Sequence, residues 1–192
     1  MIYLLIASYL IGSISSAVII CKILGIPDPR TQGSKNPGAT NVLRLGGKKI
    51  AGFVLTFDGL KGATPVIIGH YLEFGLTQLT LITLCAFLGH IFPVFFRFRG
   101  GKGVATYLGG LIAINLLAGL IFSVIWLLVA KVLKTSSLAA LIATALSPFY
   151  FYFITSDMAS TLIIGLISLF IFYTHRGNIK RLINKEEDVI QS

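Results

Sequence analysis

The chain has 192 residues, of which 55% are hydrophobic and only 12% are charged, and its mean hydropathy is +0.88. A soluble domain of this size carries about twice that share of charged residues, so a soluble fold is excluded. The net charge of +9 would suit a nucleic-acid-binding protein, but the basic residues cluster in short connections between apolar runs. We therefore expect an integral membrane protein without a nucleic-acid partner.

Six apolar runs follow one another along the chain and predict spanning helices, because a helix satisfies its own backbone within the bilayer. A crossing helix needs about 20 apolar residues, a length that most runs approach. The runs cover residues 2–20, 50–72, 78–96, 104–133, 137–154 and 158–173. Lys22 follows the first run and no Lys or Arg precedes it, the reverse of a signal peptide, so we expect a retained span.

The Lys and Arg residues are grouped, and their grouping predicts the topology. The basic groups lie in 22–49, 97–102, 131–134 and 176–185, and the connections without Lys or Arg lie near 73–77, 115–119 and 155–157. Positive charge collects in cytoplasmic loops. We therefore expect the four basic groups in the cytoplasm and the other three connections outside.

The run 104–133 is predicted to fold as two helices with a break near Asn115. The basic loop before it and the basic tail both belong inside, so an even number of spans separates them. As one helix, its 30 residues would measure about 45 Å against a hydrocarbon core of about 30 Å. The sequence thus predicts an all-α membrane protein with seven transmembrane helices, an outside N-terminus and a cytoplasmic C-terminus; six spans are the alternative.

Three polar segments fall on the predicted cytoplasmic side, and the first is GSKNPGATNVLR, residues 33–44. Its Pro and Gly predict a type II turn over residues 36–39. Thr40 or Asn41 is expected to cap a short helix that ends at Gly46-Gly47. Arg44 follows Asn41 by three residues and shares its helical face.

The second segment, RGGKG at residues 99–103, lies where the fourth span is expected to begin. Gly100, Gly101 and Gly103 allow the backbone N–H groups to form a concave nest beside a helix N-terminus, and Lys102 adds a full charge. The spacing of a Walker A nucleotide loop is absent. The pattern indicates a phosphate site of another kind.

The third segment is HRGNIKRLINKEE, residues 175–187, directly after the last apolar run. His175, Asn178 and either Arg181 or Leu182 share one face of a predicted interfacial helix. Each of the three segments, taken alone, could also be a connection or tail whose charges only set the topology.

Three ionisable residues lie inside apolar runs. Asp58 and Lys61 are one turn apart, and each costs about 2.5–3.5 kcal/mol on insertion, so they either neutralise one another or support a site. His90 is either a packed, hydrogen-bonded histidine or a site residue. Without metal-ligand spacings in the sequence, we expect no metal and no other cofactor.

The strings GSKNPGATNVLR, DGLKG, GHIFPVFFRFRGGKGVAT (89–106) and HRGNIKRL, in this order, resemble the signature segments of the bacterial acyl-phosphate:glycerol-3-phosphate acyltransferase family, PlsY. The resemblance is collinear over most of the chain. It implies a seven-span enzyme of the bacterial cytoplasmic (inner) membrane whose three segments face the cytoplasm. We expect one polytopic domain, residues 1–192, with active-site segments at about 28–49, 97–106 and 175–187.

The resemblance implies transfer of a fatty acyl chain from acyl phosphate to the 1-hydroxyl of glycerol 3-phosphate, which gives lysophosphatidic acid without acyl-CoA. Because acyl phosphate is already activated and no Ser-His-Asp set is recognisable, we expect no covalent acyl-enzyme. The expected partners are the two substrates and membrane lipid, with no obligate protein partner. The alternative is a small-anion transporter, which would need polar groups at midplane and a route to both faces.

The resemblance also implies the site residues. Glycerol 3-phosphate recognition and catalysis are expected at Ser34, Arg44, Lys102, His175 and Asn178. Further substrate-binding residues are expected at Asn36, Gly38, Thr40, Asn41, Asp58, Lys61, His90, Gly100, Gly101, Gly103 and Thr106. Which phosphate Lys102 contacts stays open.

The chain departs from the family pattern at two places. Lys35 stands where the family usually has Gly, and NKEE at 184–187 stands where it tends to have NGTE, which alters the context of Glu187.

Four candidates could accept the hydroxyl proton, namely a phosphate oxygen of the donor, Asp58, His90 and His175. We favour the phosphate oxygen, because the glycine loop would hold it close to the reacting centre.

Overall fold

The computed structural model describes residues 1–189, and they form helices and connections without a strand. The all-α prediction is therefore confirmed. The helices are α1 (Ile2–Gly12), α2 (Ser16–Ile23), α3 (Ala39–Tyr71), α4 (Leu76–Ile91), a 3₁₀ turn (Val94–Phe96), α5 (Val104–Ile114), α6 (Leu116–Leu133), α7 (Ser136–Thr155), α8 (Met158–Thr174) and α9 (Arg176–Ile183).

Four helices within residues 1–189 are long and apolar enough to cross a membrane, namely α3, α4 with its 3₁₀ turn, α6 and α7. The bent pairs α1–α2 and α8–α9 raise this number to six if each pair is one span. Helix α5 is apolar but has only 11 residues. Seven spans and the orientation of the termini therefore stay predictions.

The predicted break in the run 104–133 is confirmed at Asn115. Its backbone is extended (φ −152°, ψ 111°), and its side-chain oxygen accepts a hydrogen bond of 3.0 Å from the N–H of Ala118. A side-chain cap of this kind stabilises a helix start by about 1 kcal/mol. The polar residue thus ends α5 and begins α6 within an apolar run.

The first apolar run is also broken, which the sequence did not predict. Helices α1 and α2 meet at 42° across the buried residues Ser13 and Ser15. At this break the Nζ of Lys61 donates a 2.7 Å hydrogen bond to the carbonyl of Ile14. An unpaired carbonyl is costly in an apolar interior, so this bond stabilises the break.

Helix α3 begins with a short amphipathic stretch that a kink separates from its apolar part. Gly47, at φ 81° and ψ 178°, is the kink, as the predicted end at Gly46-Gly47 required. The predicted start is wrong, because the helix begins at Ala39 after Gly38 and includes Thr40 and Asn41. The predicted type II turn is also wrong, since Gly38 has φ −145° and that turn needs a positive φ there.

The buried core lies where α4, α5, α6, α7 and α8 meet. Its largest fully buried side chains include Phe87, Tyr107, Phe122 and Phe151. Helix α5 packs closely on α3, because a Cβ on Gly62 would lie only 2.0 Å from the carbonyl oxygen of Thr106. Many large apolar side chains on the outside are exposed, as lipid contact requires.

Candidate active site

The three polar segments meet at one cavity of about 340 Å³. Its walls come from helix α3 and the loop before it, the end of α4, the starts of α5 and α7, helix α6, helix α9 and the residues on either side of α9. All five residues predicted to be catalytic line it: Ser34, Arg44, Lys102, His175 and Asn178. The predicted binding residues that line it are Asn36, Gly38, Thr40, Asn41, Asp58, His90 and Gly103. The predicted binding residues behind the wall are Lys61, Gly100, Gly101 and Thr106.

A second, outer cavity of about 960 Å³ joins the first. Five residues line both cavities and are called the doorway: Ser34, Thr40, Arg44, Arg181 and Asp188. Lys35 and Lys48 also line the outer cavity, so the charged residues of its wall are mainly basic. Such a wall raises the local concentration of small anions.

The opposite end of the inner cavity is apolar. The apolar residues there are Leu55, Leu108, Phe122, Trp126, Leu127 and Ala140. Leu55 on α3 and Leu127 on α6 are 53% and 60% exposed. The apolar end therefore reaches the outer surface of the helices, where an alkyl chain could extend into lipid.

Asn41 holds the loop before α3 in place. Its amide oxygen accepts a 2.9 Å bond from the N–H of Ser34, and its amide nitrogen donates to the carbonyls of Pro29 and Gln32 at 2.9 and 3.0 Å. The side chain is 1% exposed. Asn41 thus sets the position of Ser34 on the cavity wall, a role that its sequence position alone did not indicate.

The glycine loop packs against the end of α4, which differs from the open nest that the sequence predicted. The N–H of Gly101 donates to the carbonyl of His90 at 3.2 Å, so it does not face a ligand. A Cβ on Gly101 would lie 2.2 Å from Nε2 of His90, and one on Gly100 would lie 2.1 Å from its carbonyl oxygen. These two glycines are therefore needed for close packing.

Apart from Lys102, the residues of this segment that line the cavity lie at the start of α5. Gly103, Val104 and Ala105 line the cavity, and Gly103 begins the helix with a positive φ of 84°. The first N–H groups of a helix have no intrahelical acceptor and carry partial positive charge. Together with Lys102, they give the start of α5 the positive charge that an anion site needs.

The Nζ of Lys102 donates a 2.6 Å hydrogen bond to Oδ1 of Asn178. The pKa of Lys102 is lowered to about 8, mainly by burial and also by the charges of Arg181 and Arg44, whereas the charge of Glu187 opposes the shift. The ammonium is therefore only modestly favoured over the neutral amine at neutral pH. A bound phosphate would stabilise the ammonium.

Glu187 is the centre of a hydrogen-bond network that the sequence indicated only loosely. Its carboxylate accepts bonds from Ser137, Asn178 and Arg181 at 2.7, 2.5 and 2.7 Å. Burial acts to raise the pKa of Glu187, but these three bonds outweigh it and the pKa is lowered. Ser137 was missed altogether, because nothing in the local sequence distinguishes it from other serines near helix starts.

His175 is neutral and faces the cavity. Its pKa is lowered to about 4, mainly by burial and also by the charge of Lys102. Its Nδ1 lies 2.8 Å from the carbonyl of Ile171, which can only accept, so Nδ1 carries the proton. Nε2 is then a hydrogen-bond acceptor that a substrate hydroxyl could reach.

Asp58, Lys61 and His90 form one buried cluster behind the glycine loop. Oδ1 of Asp58 lies 2.8 Å from Nζ of Lys61 and 2.8 Å from Oγ of Ser16. Nδ1 of His90 lies 3.2 Å from Oγ1 of Thr106 and 3.7 Å from Oδ1 of Asp58. The cluster therefore links α2, α3, α4 and α5, and the mutual ion pair expected as one alternative is present.

Comparison with known proteins identifies the family. Residues 2–185 match the family profile described as glycerol-3-phosphate acyltransferase. The glycerol-3-phosphate acyltransferase of Ruthia magnifica is 61% identical over 189 residues, covering 98% of this chain and 96% of the relative. That of Legionella pneumophila strain Philadelphia 1 is 45% identical and covers 99% of this chain and 69% of the relative.

Two solved structures have the same fold. They are crystal structures of PlsY, an integral membrane glycerol 3-phosphate acyltransferase, in its glycerol 3-phosphate and lysophosphatidic acid forms. Their TM-scores are 0.94 and 0.92 at 37% and 36% identity, and each match covers 99% of this chain and 95% of the other. The family resemblance in the sequence is thereby confirmed, and the chain belongs to the PlsY family of integral membrane glycerol-3-phosphate acyltransferases.

Proposed function

We propose that the protein moves a fatty acyl chain from acyl phosphate to the 1-hydroxyl of glycerol 3-phosphate, giving lysophosphatidic acid and phosphate. Acyl-CoA is not the donor, and no covalent acyl-enzyme forms. One observation carries the proposal: a single cavity joins a cationic doorway to an apolar end that reaches the outer surface of the helices. A water-soluble phosphate and a lipid-soluble acyl chain can therefore meet inside it.

The acceptor phosphate is proposed to bind at the doorway. Arg44 and Arg181 supply guanidinium groups there, and Arg44 offers the forked donors that suit a phosphate. Ser34 lies on the same wall. With the phosphate held there, the glycerol carbons extend inward, where Nε2 of His175 can accept a hydrogen bond from a hydroxyl and orient it.

The donor is proposed to bind with its phosphate at the start of α5 and its alkyl chain along Leu108, Trp126 and Leu127. The N–H groups of the helix start and the ammonium of Lys102 would stabilise charge on the leaving phosphate and on the carbonyl oxygen. Asn178 holds Lys102 in position. Phosphate is a good leaving group, so positioning and charge stabilisation suffice.

A phosphate oxygen of the donor is proposed to take the hydroxyl proton. Asp58 is 3% exposed and its carboxylate is engaged with Lys61 and Ser16, which makes it a poor base for a substrate. His175, with a pKa of about 4, is a weak base at neutral pH. In this scheme His175 orients the acceptor, and the proton leaves with the phosphate.

For the membrane arrangement, we propose a single polytopic domain of seven crossings in the bacterial inner membrane, with the N-terminus outside. The distribution of Lys and Arg supports this orientation. The short helix α5 would then cross together with its neighbours in a tilted or locally thinned bilayer. The active site would face the cytoplasm, where glycerol 3-phosphate is available.

The test is to incubate purified protein in detergent or nanodiscs with palmitoyl phosphate and labelled glycerol 3-phosphate. Labelled lysophosphatidic acid is expected with palmitoyl phosphate and not with palmitoyl-CoA. Intact-mass measurement after mixing with palmitoyl phosphate alone should find the unmodified protein mass. Product from palmitoyl-CoA, or a stable palmitoyl adduct, would contradict the donor and the direct transfer, respectively.

A small-anion transporter is the second candidate, and the cavity does not favour it. The cationic residues of the cavity crowd at the doorway end, and the opposite end is apolar. Proteoliposomes loaded with labelled glycerol 3-phosphate distinguish the two functions, because a transporter would exchange the label in the absence of any acyl donor.

A further inference from the structure

The doorway contains a carboxylate where an acceptor phosphate would bind. Oδ2 of Asp188 lies 2.8 Å from Nη1 of Arg44, and the two side chains are 65% and 36% exposed. Both residues line the inner and the outer cavity. An anion that enters from the outer cavity therefore meets an arginine that is already paired with an anionic group of the protein.

The position of Asp188 follows from its neighbour. Glu187 is held inside the cavity by Ser137, Asn178 and Arg181. Asp188 directly follows this anchored residue and is thereby held near the doorway, where it reaches Arg44 on α3. Residues 186–189 have no helical or strand structure, so Asp188 can leave Arg44 without unfolding an element.

We propose that Asp188 is an internal substitute for the acceptor phosphate, which the substrate displaces from Arg44 and which returns when the product leaves. The inference rests on the proposed binding of the acceptor at the doorway. In the empty enzyme Asp188 keeps the guanidinium oriented across the doorway. On product release it replaces the phosphate of lysophosphatidic acid, so no unpaired charge is left behind.

Competition from Asp188 lowers the affinity for glycerol 3-phosphate, but only by a small factor. Exposed ion pairs contribute little, so removal of the carboxylate should tighten phosphate binding by about two- to fivefold. Linkage requires that removal of this carboxylate raises the affinity of every ligand that displaces it from Arg44 by the same factor. The affinities for glycerol 3-phosphate and lysophosphatidic acid should therefore rise equally, whereas the affinity for acyl phosphate at the start of α5 should not change.

The test compares Asp188→Asn with Glu186→Gln by isothermal titration calorimetry and steady-state kinetics. Glu186 is the matched control, because it lies in the same segment and its side chain has no hydrogen bond or ion pair with residues 1–189. Asp188→Asn should lower the Kd and KM of glycerol 3-phosphate about two- to fivefold and leave the KM of palmitoyl phosphate unchanged. Glu186→Gln should alter neither constant, and Asp188→Glu should stay close to the unmodified protein.

Two results would overturn the inference. An unchanged or raised Kd for glycerol 3-phosphate in Asp188→Asn, with an unchanged melting temperature, would mean that the carboxylate does not compete. Equal tightening in Glu186→Gln would mean that only the general charge of the tail matters. Failure of the proposed function is recognised separately, because the unmodified protein would then bind glycerol 3-phosphate without forming lysophosphatidic acid from palmitoyl phosphate.

Discussion

Lys102 reaches across the cavity to Asn178, with 2.6 Å between Nζ and Oδ1, and this bond joins the second polar segment to the third. Asn178 in turn donates to Glu187, whose other partners are Ser137 and Arg181. The cationic end of the cavity is thus one connected network. Its chemical state depends on whether Lys102 carries its proton.

The pH dependence of donor use should report the ionisation of Lys102. Its pKa of about 8 lies below the ordinary value, because burial disfavours the ammonium. The ammonium exists below this pKa and is lost above it, so kcat/KM for palmitoyl phosphate should fall about tenfold per pH unit above pH 8. In Lys102→Arg, whatever its residual rate, the fall should disappear below pH 10, since guanidinium stays charged. An unchanged profile in Lys102→Arg would contradict the assignment.

Lys35→Gly and Lys185→Gly should each stabilise the protein by about 1 kcal/mol. Lys35 and Lys185 have left-handed φ values of 57° and 60°, at the two places where the family pattern has Gly. A side chain in that conformation costs about 1–2 kcal/mol, which glycine avoids. Thermal melting in detergent is the measurement.

A lysine in an ordinary helical conformation serves as the matched control for both glycine variants. Lys131 lies in α6 and has no positive φ. Lys131→Gly should therefore destabilise the protein by about 1 kcal/mol. If all three variants shift the melting temperature in the same direction, the left-handed strain is not the cause.

The left-handed turns at Lys35 and Lys185 separate the features that the sequence predicts from those that it does not. The family strings predicted which segments form the site. The break at Asn115 was predicted from the length of one apolar run and from the basic residues on either side of it, both of which are visible in the local sequence. The turns at Lys35 and Lys185 could not be read from Lys, which has no preference for a positive φ. These two turns were indicated only by the family pattern, which has Gly at both positions.

The parts that sequence reasoning missed depend on tertiary contacts. Gly101 was interpreted as part of an open nest, whereas its N–H donates to the carbonyl of His90 at the end of α4. Ser137 and Asp188 enter the site only because α7 and the tail converge on it. No local pattern reports such convergence, so only the folded arrangement reveals it.

Gly101→Ala should remove most of the activity without removing the fold. The added Cβ would lie 2.2 Å from Nε2 of His90, so the loop that carries Lys102 must move. Displacement of a positioned cation by about 1 Å commonly costs on the order of 100-fold in rate. Gly165→Ala is the control, since a Cβ there meets nothing within 4 Å and should leave turnover unchanged. Equal activities of the two variants would show that the loop tolerates the shift.

The buried ion pair of Asp58 and Lys61 is expected to stabilise the fold and not to transfer the proton. Asp58→Asn leaves Lys61 buried without its carboxylate partner, which should cost about 3–5 kcal/mol and lower the melting temperature strongly. The double variant Asp58→Asn with Lys61→Met removes both charges and should recover much of that loss. Because a phosphate oxygen of the donor is proposed as the base, the double variant should still form lysophosphatidic acid. A folded double variant whose rate falls to the uncatalysed background would instead assign the proton transfer to Asp58.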